Sequence, residues 1–123
     1  QGTETILLVE DEEPFLALGK TILKPYGYNV LAAHNPVEAI ELAQSLSGPI
    51  HLLIIDLIMP GMNGKDLGEK LWSIKPGFKC IYMSGYTANI IAHHGVLDEG
   101  IHFLQKPFSP KAMAEMVREV LDA

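Results

Sequence analysis

The sequence predicts an α/β protein: a single doubly wound domain with an open parallel sheet and helices on both faces. Three observations predict it. Short apolar runs alternate with longer amphipathic segments five times along 123 residues, a length suited to one hydrophobic core. The runs Thr5–Val9 and Leu52–Ile55 are close to continuously apolar, the pattern of strands covered on both sides. Five such β-α repeats, with right-handed crossovers, lead to helices packed on either face of one sheet.

Each element follows from its local pattern. Thr5–Val9, Asn29–Ala33, Leu52–Ile55, Lys79–Met83 and Ile101–Leu104 read as strands. Helices are expected over Glu13–Leu23, Pro36–Leu46, Gly64–Ser73, Ala88–His94 and Pro110–Leu121. In the second of these, Ala39, Ile40, Ala43 and Leu46 share one face; in the last, Met113, Val117, Val120 and Leu121 do. Asn35-Pro36 and Ser109-Pro110 each read as an N-cap followed by proline in the first helical position. Neither an internal linker between domains nor a second domain is legible. Residues 4–123 therefore read as one domain and residues 1–3 as a linker or tag remnant.

Composition narrows the function classes. Nine Lys+Arg stand against fifteen Asp+Glu, a net charge of −6, and Arg118 is the only arginine. That balance argues against contact with nucleic acid or an anionic membrane, both of which need basic patches. A cluster of acids would instead attract a cation. Cys80 is the only cysteine, so no intramolecular disulfide forms and a reducing compartment fits. Its apolar setting, Cys80-Ile81-Tyr82-Met83, favours a buried structural thiol. With no signal peptide and no apolar run of membrane-spanning length, a cytoplasmic location is expected. The adjacent His93 and His94 cannot share a helical face, which argues against zinc, and glycine-rich phosphate loops are missing.

The chemistry is sought at the carboxyl ends of the strands, where open α/β sheets bind their ligands. The first strand is followed by Glu10 and Asp11, the third by Asp56, the fourth by Ser84 and the fifth by Lys106. Taken singly, several have ordinary readings: Asp11 suits a helix cap, Glu10 a solvated loop acid, Ser84-Gly85 a turn, Lys106 a surface lysine. Asp56 is harder to dismiss, because it directly follows a buried strand. Together the group has a coherent chemistry. Clustered carboxylates need a cation, and hard oxygen ligands suit Mg²⁺. A carboxylate is also a nucleophile toward phosphorus, given positive charge to neutralise the equatorial oxygens.

On these residues the chain resembles a receiver domain of the two-component response-regulator family. The resemblance runs from Ile6-Leu7-Leu8-Val9-Glu10-Asp11-Glu12 to the last helix, through Asp56 with Met59-Pro60-Gly61 and Gly64, Met83-Ser84-Gly85-Tyr86-Thr87, and Lys106-Pro107-Phe108. It implies a flavodoxin-like sheet of five parallel strands in the order 2-1-3-4-5. It also implies that Asp56 accepts a phosphoryl group from a phosphohistidine on a histidine kinase or histidine phosphotransfer domain, with Mg²⁺ as cofactor. Asp11 and Asp56 match the metal-binding carboxylates, Glu10 acts through water, and the backbone carbonyl of Ile58 completes the shell. Lys106 matches the lysine that contacts the phosphoryl group, Ser84 the switch hydroxyl and Phe103 the switch aromatic. The Lys106–Pro107 bond is expected to be cis. Departures are Glu10 where many members have aspartate, Phe103 in place of tyrosine, and a short fourth helix that bears on the usual partner surface.

The expected product is a phosphoacceptor signalling domain rather than an enzyme. Its opening, Gly2-Thr3-Glu4-Thr5, and its end after the last helix resemble receivers at the C-terminus of hybrid sensor histidine kinases, whose parent chain can be membrane-anchored. A stand-alone regulator is the alternative, and a weak dimer is compatible with either. An Mg²⁺-dependent phosphohydrolase is disfavoured, since Ile58 offers no general acid two residues past the nucleophile. Ile58 and Tyr86 flank the approach of water in the family's geometry. Ile58 cannot hydrogen-bond it, and the Tyr86 ring shields the path although its hydroxyl can reach around, so slow hydrolysis of the aspartyl phosphate is expected.

Overall fold

A computed structural model describes residues 3–57, 63–85 and 102–123. Strands β1 (Thr5–Val9), β2 (Asn29–Ala33), β3 (Leu52–Asp56), β4 (Lys79–Ser84) and β5 (His102–Gln105) pair in parallel in the order β2-β1-β3-β4-β5. The order follows from hydropathy. Every residue of β3 and all but Thr5 of β1 are buried, so these strands take the middle of the sheet. The edge strand β2 exposes Asn29 and leaves its next three residues half-buried.

Side chains alternate across the sheet, and the two faces gather different helices. Ile6, Leu8, Leu52, Ile54, Ile81 and Met83 face helix α1 (Glu13–Leu23) and the C-terminal helix (Pro110–Asp122), meeting Leu16, Leu23, Met113, Val117 and Val120. Leu7, Val9, Leu53, Ile55 and Tyr82 face α2 (Pro36–Ser45) and α3 (Gly64–Ile74), meeting Ala39, Ala43, Leu67 and Leu71. The apolar stripes read from the sequence are therefore the core-facing ones. Ile40, Leu46 and Leu121 pack at the margins.

Element ends obey their local chemistry. Asn35, Asn63 and Ser109 each cap a helix by accepting from the backbone N–H three residues on. Helix α1 passes into a short 3₁₀ turn, Lys24–Tyr26, closed by Gly27 at φ 92°. That turn is not apparent from the sequence, although Pro25 marks where the α-helical bonding must stop. Strands β3, β4 and β5, helix α3 and the C-terminal helix differ from expectation by a residue at most at the ends described. The helix expected over Ala88–His94 and the first residue of the expected fifth strand, Ile101, lie outside the described residues. So do Tyr86 and the His93-His94 pair. No described helix is long and apolar enough to cross a membrane.

The sole arginine has a structural task. Arg118 donates to the Tyr28 hydroxyl and to the carboxylates of Glu4 and Asp122, tying the C-terminal helix to the start of the sheet. Cys80 is half-buried, and burial pushes its thiol up to about 12, so a reactive thiolate is disfavoured.

Gly64 opens α3 directly against the end of β3. Its N–H donates to the Leu57 carbonyl at 2.6 Å, and a Cβ there would stand 2.5 Å from the Asp56 carbonyl oxygen. The obstacle is backbone, which cannot rotate away. Gly64→Ala should therefore cost about 1–3 kcal/mol in chemical denaturation, as overpacking does. Gly48→Ala, with nothing within 4 Å of the new methyl, should leave the midpoint nearly unchanged. Equal midpoints for the two variants would contradict this reading of the α3 junction.

Candidate acidic site at the sheet edge

The strand order brings the expected residues to one end of the sheet. Val9 pairs with Ile55, so the residues after β1 and the last residue of β3 emerge side by side. Asp56 pairs with Met83, which sets Ser84 one step further along β4, and Ser84 pairs with Gln105 just before Lys106. Backbone bonds lock these ends: Leu57 N–H donates to the Met83 carbonyl at 2.9 Å, and Lys106 N–H to the Ser84 carbonyl at 2.8 Å. Asp56, Ser84, Glu10 and Lys106 are the four buried polar or charged residues among those described.

Lys106 is the hub. From the end of β5 it reaches past β4, and its ammonium donates to Glu10 Oε1 at 2.8 Å, Glu12 Oε1 at 2.9 Å and Asp56 Oδ2 at 3.0 Å. The same nitrogen lies 4.5 Å from the centroid of the Phe15 ring, itself tilted against Phe108. Burial works against the charge on Lys106, but the hydrogen bonds to Glu10, Glu12 and Asp56 outweigh it and its pKa is raised. Glu10 is fully buried. Burial pushes its carboxyl up to about 7, against the opposing pull of Lys106 and of the Glu12 N–H, which donates to Glu10 Oε2 at 3.0 Å. The Lys106–Pro107 peptide is cis, as the resemblance implies.

Four carboxylates, from Glu10, Asp11, Glu12 and Asp56, each place one oxygen within 4.8 Å of the others. The Lys106 ammonium balances one of these charges, so the cluster carries excess negative charge built from hard oxygen donors. That donor set fits a divalent cation such as Mg²⁺. Asp11 is exposed and is not the helix cap it resembles: Glu12 occupies the N-cap position of α1, and its side chain caps nothing. Asp11 therefore stays at the mouth of the cluster. Ile58, whose carbonyl is expected to complete the metal shell, lies outside the described residues, as do Met59, Pro60 and Gly61. Phe103 sits half-buried on the face of β5 that joins the α2 and α3 core, in register with Tyr82.

Two participants escaped the sequence reading. Neither Glu12, which directly precedes the first expected helix, nor Phe15, which lies within it, was singled out as a site residue. The run of four acidic residues from Glu10 to Glu13 is the only local sign that more than two belong to the site.

Comparisons with known proteins agree with this fold. Residues 6–118 match the family model described as the response regulator receiver domain. The chain is 38% identical over 121 residues to the sensor kinase CckA of Brucella abortus (strain 2308), covering 98% of this chain and 13% of that protein. It is 27% identical to the response regulator SaeR of Staphylococcus aureus (strain USA300), covering 94% of this chain and 50% of that one. The solved receiver domain of the hybrid histidine kinase CckA superposes with a TM-score of 0.80 at 35% identity, over 95% of this chain and 98% of that chain. This chain thus spans well under two thirds of both curated relatives.

The raised Glu10 carboxyl has a consequence for stability. Its folded pKa, about 7, lies above its ordinary value of 4.5, so the folded state holds the extra proton between them. The contribution of this group is full below the unfolded value and is lost as pH rises through the folded one. In metal-free protein, the stability of Glu10→Gln relative to wild type should therefore rise between pH 4.5 and pH 7. Urea titrations across that range measure it. A gap that stays constant, or narrows, would contradict the stated direction.

Proposed function

Because this chain belongs to the response regulator receiver family, a two-component signalling module and not a classical enzyme, we propose that Asp56 is its phosphoacceptor. The donor is a phosphohistidine on a histidine kinase or a histidine phosphotransfer domain. The observation that carries the reading is the Lys106 ammonium, 3.0 Å from Asp56 Oδ2 beside the four-carboxylate cluster. A nucleophile, a fixed cation and a set of metal donors share one spot.

In the proposed transfer an Asp56 carboxylate oxygen attacks phosphorus. The bond from phosphorus to the histidine nitrogen breaks, and its electron pair stays on the imidazole. Lys106, held from the side by buried Glu10, supplies positive charge for an equatorial oxygen. Ser84, buried at the end of β4, offers a hydroxyl to another. Mg²⁺, when bound, neutralises phosphoryl charge; Asp11 and Asp56 would hold it, with Glu10 through water and the Ile58 carbonyl completing the set. Movement of the Ser84 hydroxyl toward the phosphoryl group, followed by Phe103, is the proposed switch read by a partner.

The likeness to the receiver of a hybrid kinase favours a parent chain of that kind over a stand-alone regulator. A cytoplasmic location goes with that reading, as does the lack of a nucleic-acid or membrane role for this domain.

Incubation with acetyl phosphate and Mg²⁺ should add one phosphoryl group, detected by mass spectrometry. Chelation with EDTA, or Asp56→Asn, should abolish the gain. An equal gain in the Asn variant would remove Asp56 from the role. The phosphorylated state should also be long-lived, because Ile58 cannot hydrogen-bond an attacking water. Decay of the phosphoprotein should quicken in Ile58→Asn; an unchanged decay would show that this position does not control water placement.

A further inference from the structure

We propose that Glu12 is a brake on phosphorylation: its carboxylate occupies the Lys106 donor that the incoming phosphoryl group needs. The inference rests on the phosphoacceptor reading of Asp56 and gives a regulatory task to a carboxylate that the transfer itself does not use.

A lysine ammonium has three N–H donors and no more. Here Glu10, Glu12 and Asp56 take all three. A phosphoryl oxygen can therefore reach Lys106 only by displacing one carboxylate. The three are not equivalent. The side chains of Glu10 and Asp56 are 0% and 5% exposed, that of Glu12 57%. Releasing either buried carboxylate leaves a charge without its partner in a medium of low dielectric, which costs several kcal/mol. Releasing Glu12 costs far less, because water takes over the abandoned oxygen. Glu12 is the bond that yields.

With Glu12 released, Lys106 keeps its place. Glu10 and Asp56 still hold two donors, and the Phe15 ring still covers the ammonium at 4.5 Å. The donor set free is the one that met the solvent-exposed partner, so it is the one nearest the open side of the site. Glu12 can swing away without disturbing α1. Its side chain makes no capping bond, and the backbone contact from its N–H to Glu10 Oε2 does not depend on the side chain. On dephosphorylation the carboxylate returns and the three donors are again filled.

The size of the brake follows from its exposure. An exposed ion pair shifts an equilibrium by roughly two- to fivefold, so Glu12→Ala should raise the initial rate of phosphorylation by about that factor. The rate is measured with acetyl phosphate at saturating Mg²⁺, so that any effect of Glu12 on the metal drops out. Removing a negative charge also draws in an anionic phosphodonor, and Glu13→Gln controls for this. Glu13 is the next residue and is 69% exposed, yet it bonds His34 rather than Lys106. The inference predicts a faster Glu12→Ala and a near-normal Glu13→Gln. Glu12→Gln, which keeps an acceptor but loses the charge, should fall between Glu12→Ala and wild type. Equal acceleration by Glu13→Gln, or no acceleration by Glu12→Ala, would overturn the brake while leaving Asp56 as phosphoacceptor. Failure of the wild type to phosphorylate at all would overturn that reading, and the brake with it.

Discussion

The Lys106 ammonium is the interaction on which the rest of the site depends. It is 7% exposed, and two of its three carboxylate partners are as deeply buried. A carboxylate such as Asp56 at the end of a buried strand is made tolerable by the cation beside it. Removing that cation would leave the buried Glu10 and Asp56 carboxylates without their shared partner. Even with it present, burial drives Glu10 toward holding a proton near neutral pH. The charge of one lysine is thus insufficient for the acids gathered around it, a deficit that a divalent cation would offset before an anionic phosphoryl group could approach.

The fold exists at this point chiefly to bring distant residues together. Lys106 and Glu10 are separated by 96 positions, and Lys106 and Asp56 by 50. Parallel pairing in the order β2-β1-β3-β4-β5 makes every strand end at the same edge, where the acids after β1, the acid closing β3 and the lysine after β5 meet. The cross-strand bonds from Leu57 to Met83 and from Lys106 to Ser84 fix those ends in depth. Gly64 then lets α3 begin directly against the backbone of Asp56 itself.

Much of this was legible in the sequence, and the reason is local periodicity. Continuous apolar runs betray central strands, and stripes such as Met113, Val117 and Val120 betray the helix faces that cover them. Asp56 stood out because a charge directly after such a run is harder to dismiss as merely structural. Lys106 and Ser84 were legible only as members of a set defined by strand ends. Glu12 and Phe15 were not legible, since their contact with Lys106 depends on the direction in which α1 leaves β1 and on rotamers set by tertiary packing. The 3₁₀ turn at Lys24–Tyr26 was missed for a similar reason: Pro25 announces that the helix stops, not how.

Thermal unfolding as a function of Mg²⁺ concentration tests the central claim most directly, because it asks whether the folded site, with its unmatched acids, binds the cation that the unfolded chain does not. A ligand specific to the folded state stabilises it in proportion to the logarithm of its concentration once the site is saturated. The account predicts a midpoint that rises with Mg²⁺ for wild type and for Glu13→Gln, and a rise that is lost in Asp11→Asn and Asp56→Asn. A midpoint indifferent to Mg²⁺ in the wild type, or an equal rise in all four proteins, would contradict it.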